Sequence, residues 1–302
     1  MKYAPQRGQA RLDRAFHLGR PSVRVPPTAL VLLATASVQL GATVAKHLFR
    51  ELGPGGATLM RVGIGALVLL AVQRPRLGSH TRRDYLTASL FGLSMAAMNF
   101  SFYSALNRIP LGIAVTLEFV GPLGVAVIGS RRLFDLLWVV LAAGGILLLA
   151  PLGGGGVDSL GAAFALLAGC FWACYIVLSA RVGQVFPGGA GLTVAMIVGG
   201  VALLPIGVVS AGWHLADGHL LAAGVAVALL SAVIPYSLEL QALRSLPTQV
   251  FGVLMSMEPG VAAVIGLVVL HEVLGLRAVL ALVCVSAASL GATRSARTPT
   301  ID

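Results

Sequence analysis

The chain has 302 residues, of which 57% are hydrophobic and 11% charged, with a mean hydropathy of +0.92 and a net charge of +10. A soluble domain is about 25% charged and could not bury this much apolar surface, and a disordered chain would be polar. Charge-free stretches of 21 residues or more (25–45, 85–107, 136–157, 159–180, 182–216, 218–238) mark a polytopic membrane protein, because about 20 apolar residues span a bilayer as a helix.

Residues 1–26 form a basic tail, a segment suited to anionic lipid and not to nucleic acid in this apolar context. Ten membrane helices are expected near 28–49, 55–73, 85–106, 110–130, 134–151, 159–180, 190–210, 218–242, 247–270 and 275–293, and the fold class is all-α. Only Thr28 to Leu33 precede the small-residue run Ala34-Thr35-Ala36, too short an apolar core for a cleaved leader, so the first span is expected to stay. Ten spans put both termini on one side. Placing that side in the cytoplasm gives it sixteen Lys and Arg, against four outside (Lys46, Arg50, Arg108, Arg277), which is the positive-inside bias of an inner-membrane protein. Residues 294–302 are a second cytoplasmic tail. Cys170 and Cys174 stand at i, i+4 and are expected to be small packing residues, as is Cys284.

The chain answers itself at an offset of 137. Ala105-Leu106 and Pro110 match Ala242-Leu243 and Pro247; Pro122 matches Pro259; Ile128-Gly129 matches Ile265-Gly266; Asp135 matches Glu272. Pro54-Gly55-Gly56-Ala57 matches Pro187-Gly188-Gly189-Ala190 at an offset of 133. Two five-helix repeats are expected, 27–152 and 158–293, joined by a Gly-rich linker at 153–157. Five is odd, so the second repeat enters the membrane from the opposite side, and such inverted repeats place a transported substrate between the halves.

Three acids fall inside expected spans: Glu118, Glu239 and Glu258. A carboxylate there needs a partner, a proton or water. Glu118 and Glu258 project from nearly equivalent faces of the fourth and ninth helices, suited either to a substrate ammonium and a coupling proton or to a structural ion pair. Glu239 follows Pro235-Tyr236-Ser237-Leu238 and is expected near the cytoplasmic interface, within reach of water. Lys46 and Arg61 lie in the outer half. Either could take a substrate carboxylate, Arg61 through two donors; the competing readings are an interfacial anchor for Lys46 and an ion pair with Glu118 for Arg61. Asn99, Tyr103, Trp172 and Tyr175 are polar or aromatic residues within spans that could touch substrate or simply pack. No nucleotide-binding loop, zinc-hydrolase motif or serine-hydrolase motif occurs, so neither an enzyme nor a cofactor is expected.

The segment Pro110 to Leu123 (PLGIAVTLEFVGPL) resembles the fourth-helix signature of the bacterial threonine/homoserine exporters of the drug/metabolite transporter superfamily, with its paired EamA repeats. So do Gly41-Ala42-Thr43-Val44-Ala45-Lys46, Ser130-Arg131-Arg132 leading into Trp138-Val139-Val140-Leu141, Pro235 to Glu239, and Leu254-Met255-Ser256-Met257-Glu258-Pro259. The similarity runs over about residues 28–293. It implies an inner-membrane exporter of small amino acids driven by proton exchange, with Lys46, Arg61, Glu118, Glu239 and Glu258 on positions the family pattern fills alike. Ala96-Ala97 before Met98-Asn99 replaces glycines of that pattern, and this bears on the cargo. Another amino acid, a metabolite or a drug-like cation remains the alternative cargo, and a scaffold or sensor that moves nothing remains the alternative class.

Overall fold

The computed structural model describes residues 25–73, 80–128, 135–149, 157–186, 189–243, 246, 251 and 254–295. The expected basic tail to residue 24, the linker at 153–156, the end of the C-terminal tail from 296 and Arg131-Arg132 lie outside them. Among the described residues every regular element is helical: α1 (Pro27–Gln73), α2 (Arg82–Leu106), α3 (Leu111–Glu118), α4 (Val120–Ile128), α5 (Asp135–Leu149), α6 (Ser159–Val185), α7 (Ala190–Ala211), α8 (Gly218–Ala228), α9 (Ile234–Leu243), α10 (Glu258–Leu270) and α11 (Leu276–Ser295).

The elements follow the sequence with instructive differences. The first two expected spans follow one another directly within α1 as two helical arms, which meet at a sharp corner where Gly53 leaves the helical conformation (φ 62°, ψ 172°). That backbone conformation is open essentially to glycine alone. Ser210 Oγ on α7 fills the space a Cβ at Gly53 would take, and donates to the Leu52 carbonyl at 2.8 Å. The expected fourth helix breaks at Phe119 into α3 and α4. Pro122 has no N–H to give the Glu118 carbonyl four residues back, so the ladder loses a rung at that point. The expected eighth helix is α8 and α9 joined by a π turn at Leu229–Val233. Of the expected ninth helix, α10 begins only at Glu258, with Pro259 in its first turn, where a missing N–H costs nothing.

Four described helices are long and apolar enough to cross a membrane: Pro27–Val72, Ser159–Val185, Ala190–Ala216 and Leu276–Thr293. Their outer faces carry exposed Leu67, Val72, Leu167, Val201, Val209 and Val283, while Gln39, Glu118 and Glu258 are buried. Apolar outside and polar inside is the arrangement lipid selects. Small residues set the packing distances. A Cβ at Gly121 of α4 would strike the Gly169 backbone of α6, and one at Gly92 of α2 the Ala195 backbone of α7. Such contacts let helix backbones approach where water offers no driving force for association. In the resulting bundle α2 lies on α6 and α7, α1 on α7, α8 and α9, α3 on α10, and α5 on α11.

Candidate functional site

A cavity of about 340 Å³ opens between α1, α2, α3, α4, α6, α9, α10 and α11. It holds the acids. Glu118 closes α3, whose eight residues are all buried, and is itself 8% exposed. Glu258 opens α10 and is 7% exposed, at the end of the helix where the peptide dipoles favour a negative charge. Glu239, six residues beyond the π turn, is half-buried and lines the same cavity. Pro235, in the first turn of α9, lines the cavity with it.

Arg61 enters from the second arm of α1. Its Nη2 donates to the Ser231 carbonyl at 3.3 Å and its Nη1 to the Tyr103 hydroxyl at 3.4 Å, with the guanidinium 5.5 Å from the Tyr103 ring centroid. Its charge acts on both Glu118 and Glu258. Tyr103 is fully buried behind it, tilted against Phe49. Asn99 lines the cavity and gives its Nδ2 to the Met95 carbonyl at 2.8 Å, and Trp172 stands edge-on to Phe119 with centroids 5.3 Å apart. Tyr175 lines the wall and leans on Phe91.

Lys46 is the residue the structure places elsewhere. Its Nζ lies 2.5 Å from Glu272 Oε1 and 3.4 Å from the Ile109 carbonyl, and Glu272 Oε2 accepts the Leu111 N–H at 2.7 Å. One carboxylate thus ties α1, the start of α3 and the turn after α10 together. It closes one end of the bundle, about 10 Å of helical rise along α3 from Glu118. Lys46 is therefore a bridging group at the end of the molecule and not a lining residue of the cavity, because a nearer carboxylate satisfies it. Cys170 and Cys174 are exposed on α6 and not packed as expected.

Two residues with polar roles carried too faint a signal to stand out. Gln39 is an uncharged amide in a charge-free stretch, yet it is 1% exposed and its Nε2 donates to Glu258 Oε1 at 3.1 Å. Glu272 was visible only as the repeat partner of Asp135. A larger space of about 580 Å³ between α2, α6 and α7 is lined almost wholly by apolar residues such as Leu90, Phe100 and Leu178, and no ionisable group but Cys174 faces it. Of these two spaces, the smaller one carries the charged side chains.

Residues 159–294 match the model of the EamA-like transporter family. The threonine/homoserine exporter RhtA of Salmonella typhimurium (strain LT2) is 45% identical over 273 residues, covering 90% of this chain and 92% of its own; that of Escherichia coli (strain K12) is 43% identical over the same shares. The chain belongs to the EamA-like transporter family. A solved crystal structure of a protein aligns with 89% of this chain and 96% of its own at a TM-score of 0.56 and 16% identity, a likeness of fold alone. The relatives are exporters and the family is one of transporters.

Proposed function

We propose that the protein exports small amino acids, threonine and homoserine foremost, from the cytoplasm across the inner membrane in exchange for protons. The observation that carries this reading is the cavity itself: Glu118, Glu239 and Glu258 face Arg61 in a space of ligand size. A zwitterion needs one anionic and one cationic contact, and this cavity offers both. The cargo follows the printed function of the 43–45% identical relatives.

The architecture proposed for this task is ten spans in two inverted repeats, 27–152 and 158–293, with both termini cytoplasmic. Its support is the sequence offset together with a packing pattern that survives exchange of the halves. The third span on the sixth (α2 on α6) is answered by the eighth on the first (α9 on the first arm of α1, where Leu30 and Val31 meet Ala242), while α3 with α10 and α5 with α11 pair across the axis. The Lys and Arg bias supplies the orientation. In that orientation the Lys46–Glu272 bridge seals the outer end, and the cavity reaches Ser289 and Thr293 in the last turns of α11, toward the cytoplasm. The amino acid enters from that side. A carboxylate, Glu258 or Glu118, takes the ammonium, and Arg61 takes the substrate carboxylate. Rocking of one repeat against the other opens the outer end, and a proton replaces the ammonium on the acid for the return. One acid serving two cations in turn links the two flows.

Purified protein in liposomes loaded with labelled threonine or homoserine tests this directly. Release that follows an imposed pH gradient and stops with an uncoupler is the expected result. No movement of either amino acid would refute the cargo, and gradient-independent movement would refute the coupling.

A further inference from the structure

Gln39 joins the acids in the cavity although it carries no charge. It sits on the first arm of α1, 1% exposed, and reaches across to α10, where its Nε2 donates to Glu258 Oε1 at 3.1 Å. The hydrogen bond runs from the amide to the acid, the NH₂ donating and the carboxyl oxygen accepting. This leaves two buried oxygens, Gln39 Oε1 and Glu258 Oε2, with no hydrogen-bond partner among the described residues. Buried acceptors are nearly always paired, so two orphans on two residues already in contact, both lining one cavity, mark a place where a donor is to arrive.

We propose that Gln39 is a positioning and specificity residue for Glu258: its amide nitrogen fixes one carboxylate oxygen, and its amide oxygen stands with the other as an acceptor pair for the primary ammonium of the exported amino acid. This rests on the amino-acid reading above. A primary ammonium carries three N–H donors and can serve both orphaned oxygens at once. A proton serves them differently, by turning Glu258 Oε2 into a donor. With Oε1 already held by the amide, both cations compete for a single carboxylate oxygen, and this enforces exchange over co-transport. The charged groups facing Glu258 are Glu118 of α3, Glu239 of α9 and Arg61 of α1; α2 contributes Asn99, α6 Tyr175 and α11 Ser289 and Thr293 to the same cavity. Gln39 therefore acts through geometry within a fixed set of charges.

The test compares wild type, Gln39→Leu and Gln39→Glu in liposomes, using threonine and N,N-dimethylthreonine, whose ammonium keeps a single N–H. In wild type the dimethylated compound is expected to compete at least about tenfold more weakly than threonine, since a site built to bind N–H groups rejects an analogue lacking them. In Gln39→Leu that discrimination is expected to shrink to about threefold, the KM for threonine to rise about tenfold with a smaller change in kcat, and the pH of half-maximal efflux to move. Gln39→Glu keeps the shape but replaces the amide with a second carboxyl group that shares a proton with Glu258, so the pH of half-maximal efflux is expected to move there too, and this variant decides the matter if the leucine variant does not fold. Unchanged discrimination and pH dependence in a folded variant would overturn the proposal while leaving amino-acid export standing. A wild type that moves neither threonine nor homoserine would overturn both.

Discussion

Glu118 and Glu258 owe their visibility in the sequence to cost: an acid in an apolar span has to be explained, and both stand in the cavity. Glu118→Gln and Glu258→Gln each keep shape and hydrogen-bonding capacity while removing the charge. The expected outcome for each is a drop of at least about tenfold in pH-driven efflux at normal membrane levels, measured by isotope release; intact efflux in both would remove the acids from the mechanism. Neutral Gln39 escaped that test of cost, because an amide in a membrane helix raises no alarm until its partner is known. Lys46 misled for the opposite reason. Its charge was legible, but the carboxylate that satisfies it lies 226 residues away, and sequence spacing does not reveal such a pairing. Outside the spans, Asp217 caps α8 by accepting from the N–H groups of Leu220 and His219, and these bonds hold its carboxyl below the usual carboxylate range. A lowered folded value means the cap contributes fully above about pH 4 and is lost as the pH falls through that lower value. The difference in melting temperature between wild type and Asp217→Ala is expected to narrow on acidification through that window, and a constant difference would show that the carboxylate charge is not what caps the helix.

Helices as units were legible from charge-free length, and their interruptions were less so. The corner at Gly53 looks from sequence like a loop between two spans, since Gly53-Pro54-Gly55-Gly56 is a run of breakers; the structure needs no loop and passes from one helical arm to the next at a single non-helical residue. Gly53→Ala is expected to cost about 1–3 kcal/mol of stability, because the backbone there is strained for any residue with a Cβ, and Ser210 adds a clash. Thermal unfolding in detergent reads this directly. Gly169 poses a different demand. A Cβ on it would press on the Glu118 carbonyl where α3 ends, so Gly169→Ala is expected to destabilise by about 1–3 kcal/mol and to lower efflux beyond what lost stability explains, since the α6 surface that sets the height of Glu118 would shift. Activity normalised to folded protein separates the two effects. The break at Phe119 could be anticipated from Pro122, but the choice of a π turn at Leu229–Val233 has no signature in the residues themselves.

For the molecule as a whole, the Lys46–Glu272 bridge and the cavity lie at different depths along the antiparallel pair α3 and α10. Breaking the bridge with Glu272→Gln is expected to expose the cavity from outside. In a background with Cys170, Cys174 and Cys284 replaced by Ser, Phe102→Cys on the cavity wall should then react faster with a membrane-impermeant thiol reagent added externally. An unchanged labelling rate would mean that something else seals this end. The three acids and one arginine of the cavity carry a consequence for the energetics of the cycle. A zwitterion brings no net charge, so in the proposed cycle whatever charge crosses the bilayer with each turn belongs to the proton returning on a carboxylate. Under the proposed one-for-one exchange, export therefore carries current. An interior-negative voltage of 100 mV would add about 2.3 kcal/mol to the drive per turnover, and a potassium-diffusion potential alone, at equal pH on both sides, should empty loaded vesicles.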